Sequence, residues 1–210
     1  MRTALICIEQ GDPVLSLDDA KAHLRVDGKD EDAYITDLCA AANDQLDGDT
    51  GWLKRALGQQ SWRLVLDGFE HCCRARRDAR FNPQRIDLPL PPLQQVTAVK
   101  YLDGDGNEQT LDAVNYRAVN CGSEPSFIMP AAGKSWPSHL SAPDAVRVEF
   151  TAGYGNEEGM IKLPRNIVAA MKLLVGQWYE QRMPIAVGTI SSELPNSVRD
   201  LLWNQRIINL

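Results

Sequence analysis

The feature that most constrains this 210-residue chain is a change of hydrophobic period that happens twice. Before about residue 60 the apolar residues recur at helical spacing, from 61 to 152 they alternate in short runs, and after Pro164 the helical spacing returns. A period of 3.6 buries one stripe of a helix and a period of two buries one face of a strand, so one stretch cannot satisfy both. The chain therefore reads as α+β: a small helical bundle formed by N- and C-terminal helices, with a mostly antiparallel β-rich insertion. The expected division puts 1–60 and 153–210 in the helical core and 61–152 in the insertion module.

Local signals fill in this outline. Ser16 stands where its hydroxyl can cap a first turn, and Leu17, Ala20 and Leu24 predict a helix over 17–25, broken by Gly28. Asp30 is the expected cap of a second helix, whose stripe of Ala33, Tyr34, Ile35, Leu38, Ala41, Ala42 and Leu46 runs to about 47. Strands are predicted at 61–66, 85–88, 95–102, 107–111, 116–119, 126–129 and 145–151. The Asp103-Gly104-Asp105-Gly106 turn supplies the positive φ values that a hairpin needs. Ile167, Met171, Leu174, Val175 and Trp178 line a third helix to about Arg182, ended by Pro184, and Pro195 opens a last helix carrying Val198, Leu201 and Leu202.

Motifs with chemical meaning each meet a plainer explanation. Gly153-Tyr154-Gly155 through Gly159 has the wrong spacing for a dinucleotide fingerprint and sets Glu157-Glu158 where pyrophosphate needs positive potential, so it reads as a corner between sheet and helix. Asp49-Thr50-Gly51 follows a polar helix end, whereas an aspartic-protease triplet needs a hydrophobic strand and a second carboxylate. Asp103, Asp105 and Asn107 begin like a calcium loop but lack Gly at the sixth position and Glu at the twelfth. His71-Cys72-Cys73 has no second C-x₂-C pair to complete a zinc site. No nucleophile elbow, P-loop or H-E-x-x-H helix occurs, and the reading assigns no catalytic, cofactor or metal-binding residue.

Charge is distributed in blocks. Residues 1–50 carry 12 acidic and 4 basic residues, whereas 51–100 carry 4 and 9, within an overall net charge of −6. The acidic balance argues against a general sheath for nucleic-acid phosphates. The basic block centres on Arg74, Arg76, Arg77, Arg80 and Arg85, in a stretch without apolar periodicity that reads as an excursion between strands. Phe69 and Phe81 flank it without building a stacking platform for bases, so the five arginines read as a solvated loop or as contact with an acidic protein surface, the N-terminal block of a neighbouring copy among them, with DNA backbone contact as the third alternative. Five cysteines cannot all pair within one chain and suggest a reducing compartment. The apolar run Thr3–Ile8 is too short for a signal-peptide core, and no run of 18 apolar residues suggests a membrane span.

Taken in order, PVLSLDDAKAHLRVDGKDEDAYITDLCAAA, QSWRLVLDGF, IDLPLPPLQQVTAVKYLDGDGNEQTLDAVNYRAV, VRVEFTAGYG and LPRNIVAAMKLLVGQWYEQR resemble the head–tail connector (head-completion or adaptor) proteins of tailed bacteriophages and prophages, over about 13 to 203. The resemblance implies a non-enzymatic structural subunit of the phage neck. It would form a homo-oligomeric ring of about twelve copies between the portal protein and the tail or neck proteins, extending a channel through which DNA passes without sequence-specific binding. It implies localisation to the head–tail junction of the virion, with the bacterial cytoplasm before assembly, and it supplies no catalytic residues or cofactors to carry over. The excursion at 70–84 is longer than the family pattern suggests. The competing expectation is a non-enzymatic binding or assembly module acting as a monomer or dimer.

Overall fold

A computed structural model of the chain describes residues 2–69, 84–155, 160–181 and 194–208. Among these, the elements run β1 (Arg2–Glu9), α1 (Leu17–Leu24), α2 (Asp32–Leu46), β2 (Gln60–Leu66), β3 (Ile86–Leu88), β4 (Leu93–Leu102), β5 (Glu108–Thr110), β6 (Tyr116–Val119), β7 (Ser126–Pro130), β8 (Val146–Ala152), α3 (Arg165–Glu180) and α4 (Asn196–Leu202). The α+β expectation holds, and each predicted strand and helix is found within a few residues of its place.

The helices pack around one apolar core. Ile35, Leu46, Ile167, Met171, Leu174 and Val198 are all essentially buried within it, which is what their helical spacing requires. Ser16 caps α1, its Oγ accepting from Asp19 N at 3.2 Å. The helix closes earlier than Gly28: Arg25 takes a left-handed conformation (φ 59°), and its N–H and that of Val26 both bond to Lys21 O. The expected Asp30 cap is also replaced. Glu31 occupies the cap position of α2 without a capping side-chain bond, because its carboxylate instead accepts from Tyr179 Oη on α3. That contact trades a local cap for a tie between helices, reinforced by Lys21 to Asp32 (2.5 Å) and Lys172 to Asp19 (3.0 Å).

The strands form two antiparallel sheets, a five-stranded one ordered β1-β2-β8-β4-β5 and a three-stranded one ordered β3-β7-β6. Even-numbered residues of β2 and β8 point inward: Trp62, Leu64 and Leu66 meet Val146, Val148 and Phe150, and Ile86, Leu88 and Ile128 come in from the smaller sheet. This is the period-two burial that the sequence alternation demands. Strand β1 was not foreseen, and it modifies the assignment of everything before residue 61 to the helices. Its apolar run pairs along β2 with register shifts at both ends, so one short run without a turn signal conceals a sheet edge.

The segment from 47 to 60 runs between the two cores and approaches the end of β8 backbone to backbone. Gly153 adopts φ +123°, donates to Pro92 O at 2.9 Å, and leaves so little room that an added Cβ would lie 1.9 Å from Gly58 O. The adjacent Tyr154 is buried, and its N–H reaches Leu57 O at 3.3 Å. Glycine is thus required at 153 for backbone approach. Gly153→Ala is expected to cost more than about 3 kcal/mol or to prevent folding, as read by urea denaturation. Leu174→Ala, wholly buried, is expected to cost about 2–5 kcal/mol. Trp178 is only half-buried against the same core, so Trp178→Ala is expected to shift the midpoint less than Leu174→Ala.

Candidate functional site

The most polar buried point of the protein lies at the junction between the cores. Asp47, at the end of α2, is nearly closed to solvent and accepts three donors from the chain around it: Leu57 N–H (2.7 Å) on Oδ1, and Asn43 Nδ2 (3.2 Å) and Gln60 Nε2 on Oδ2. Gln60 passes the order on, its Oε1 accepting from Trp62 Nε1 at 3.0 Å. Burial pushes the Asp47 carboxyl above the usual carboxylate range, and the three donors pull it back only in part.

Arg55 is the second half of this junction. Its side chain is 3% exposed, and it donates to Ser123 O (2.5 Å) in the turn between β6 and β7, to Gln205 O beyond α4, and to Tyr154 Oη (3.5 Å) after β8. Asp47 and Arg55 also sit side by side in the backbone, Gly48 N–H donating to Arg55 O at 2.7 Å. One guanidinium, with donors in a rigid fork, thereby fixes three remote parts of the chain at once. The turn after α4 is held further by Ile207 N–H on Leu53 O (3.0 Å) and by Arg206 over the Trp52 ring (4.6 Å). These residues hold the architecture. No motif marks them in advance; a lone Asp at a helix end and a lone Arg in a polar stretch carry no signal until the chain folds.

Of the predicted contact residues, Arg74, Arg76, Arg77 and Arg80 lie outside the described residues. Arg85 is described: its guanidinium stacks 3.8 Å from the Phe127 ring centroid, and its Nε donates to Asp87 Oδ1 at 2.5 Å. Both roots of the basic stretch are gripped by one side chain. Trp136 stacks on Phe69 (4.7 Å between centroids) and donates from Nε1 to Gln84 O at 2.8 Å, while His139 meets Phe69 edge-on.

The calcium-like letters belong to a hairpin turn. Asp103 Oδ1 accepts from Asp105 N and Asn107 N, and the hydrogen bond from Gln109 to its other oxygen holds the carboxyl below the usual range. Asp49-Thr50-Gly51 lies in the turn after α2. His71, Cys72 and Cys73 fall outside the described residues, and among the described ones no three His, Cys, Asp or Glu side chains gather as a metal site. No described helix is long and apolar enough to cross a membrane.

Comparisons with known proteins bear on the N-terminal segment and on the fold. Residues 14–64 match the family of phage gp6-like head-tail connector proteins, so the resemblance found in the sequence is shown there directly. No curated protein matches the chain. Among the solved structures that match nearly all of it are a chain in the neck of an empty gene transfer agent (GTA) particle computed with C6 symmetry (23% identity, TM-score 0.68, 98% of this chain and 97% of that one); one in the virion of a native GTA particle (24%, 0.71, 98% and 96%); and one in the neck of a native GTA particle computed with C12 symmetry (22%, 0.63, 98% and 97%). The fold is therefore the same over essentially the whole length.

Because burial raises the Asp47 pKa, the folded protein holds that proton more tightly than the unfolded chain does. Its contribution is fully present below the ordinary Asp value of about 3.9 and is lost as pH rises through the higher folded value. Asp47→Asn is expected to remove this segment of the stability–pH curve, read as the difference between variant and parent in denaturation series at several pH values. The same variant is expected to be less stable throughout, since one carboxylate oxygen becomes an NH2 and either Leu57 N–H or the Asn43 and Gln60 amides lose their acceptor.

Proposed function

We propose that this chain is a structural subunit of a phage-type neck, forming a ring that joins the portal vertex to the tail and extends the DNA channel. The observation that carries this reading is the likeness, over 98% of the chain, to subunits of particle necks computed with cyclic symmetry. The connector-family match at 14–64 supports it from an independent direction. The ring is read as about twelve copies, seated between portal and tail or neck proteins in the virion after synthesis in the bacterial cytoplasm.

In this reading the protein does no chemistry and needs no cofactor; its function lies in its outer faces. A cyclic ring uses two different surfaces of each subunit, so acidic and basic blocks on one chain meet between neighbours instead of repelling. Arg74, Arg76, Arg77, Arg80 and Arg85 are assigned to subunit or partner contact on that ground. The net charge of −6 suits a channel along which DNA slides, since each phosphate neutralised by Lys or Arg adds salt-dependent grip.

Electron microscopy of the protein mixed with tail-less, portal-bearing capsids is expected to reveal a ring on the portal. Protein that never joins such particles, at any concentration, overturns the reading. Replacing Arg74, Arg76, Arg77 and Arg80 together by Ser is expected to leave the thermal melt of the free protein unchanged and to reduce ring occupancy. Equal occupancy would remove these four from the contact.

A further inference from the structure

The solvent face of the three-stranded sheet combines charge and apolar surface in a way that neither the core nor the junction uses. Residues directly opposite in an antiparallel pair share a face. Asp87 pairs with Phe127 and Phe127 with Val119, while Arg117 pairs with Met129. On the other face Ile86 and Ile128 are fully buried. The outward face therefore carries half-buried Val119, Phe127 and Met129 together with exposed Arg117. Carrying the β3–β7 register back one residue brings Arg85 level with Met129, on the side opposite Arg117, and its guanidinium is already fixed against Phe127. The two arginines thus flank an apolar strip, two interstrand steps or about 10 Å apart along the backbone.

A matching surface exists on the same chain. The outward side of α2 carries Ala33, Asp37, Ala41 and Asp44, all exposed and spaced to share one side of the helix, opposite buried Ile35, Cys39, Ala42 and Leu46. Asp37 and Asp44 are seven residues apart, a rise of about 10.5 Å, which matches the arginine spacing. Ala41 between them and Ala33 one turn before leave low relief for the Val119–Phe127–Met129 strip to approach.

We propose that the outward face of the β3-β7-β6 sheet docks the Asp37–Asp44 side of α2 on a second copy of this chain. The proposal rests on the ring reading and names one contact within it. Two different surfaces meet, so the contact is head-to-tail and propagates from copy to copy, as a cyclic ring requires. A low-relief protein surface fits this face better than a nucleic-acid backbone does, because Val119, Phe127 and Met129 between the arginines would gain nothing against phosphates but can be buried against a helix.

The test uses two reversed proteins, R85E/R117E and D37K/D44K, assembled on tail-less, portal-bearing capsids and counted by electron microscopy. Either reversed protein alone is expected to need roughly tenfold more protein, or greater, for half-occupancy, because like charges then face each other. An equimolar mixture of the two is expected to restore occupancy, since each Glu-bearing sheet meets a Lys-bearing helix and each Arg-bearing sheet meets an Asp-bearing one around the ring. DNA contact through these arginines would not produce that rescue. Because Arg85→Glu also breaks the Asp87 contact, the cycle is repeated with R117E in place of the double change, and thermal melts confirm that every variant folds. Reversed proteins that assemble like the parent, or folded variants that the mixture fails to rescue, overturn the contact while leaving the ring itself standing. A parent protein that forms no ring on the capsids removes both.

Discussion

The architecture depends on how two separate apolar cores are locked to each other, and the lock is a buried carboxylate and a buried guanidinium placed side by side on the 47–60 segment. Apolar surface alone would allow the helical and β-rich parts to slide, because hydrophobic attraction has no direction. Hydrogen bonds have direction. Asp47 fixes the path from α2 into β2 through Leu57, Gln60 and Asn43, and Arg55 fixes the loops that return from the far sheet and the last helix. Leaving either group unpaired inside the protein would be costly, so the arrangement specifies one relative placement and penalises others.

This lock was invisible in the sequence for a physical reason. Helix and strand periods are local, and they predicted α1, α2, α3 and the run of strands from β2 to β8 with small errors at the ends. Arg55 acts on Ser123 and Gln205, whose positions relative to it exist only in the folded chain. The same argument explains the displaced cap of α2. Local rules favoured Asp30, but a tertiary partner, Tyr179, captured Glu31 at the start of α2, while α1 ended at its expected place with Arg25 in the left-handed turn that glycine usually fills. Strand β1 escaped notice because an edge strand has a single neighbour and needs little pattern of its own.

The proposed contact draws on the sequence only in part. Block charges along the chain motivate it, and Arg85 stands on a defined sheet face. The partner residue Arg117 carried no signal, being a single arginine within a short strand. Only pairing through β7 brings it level with Arg85, and only the helical repeat of α2 shows that two aspartates stand at the same interval. Spacing of this kind is a property of the assembled sheet and helix, not of either segment.

Trp136 has an implication for how this chain can diversify. Since it holds Phe69 and Gln84 together from outside, the sheet is closed off at that point irrespective of what joins them. Evolution is then at liberty to lengthen, shorten or rewrite the intervening stretch while the scaffold beneath stays constant, so new contacts can be acquired by editing one segment instead of redesigning the whole chain.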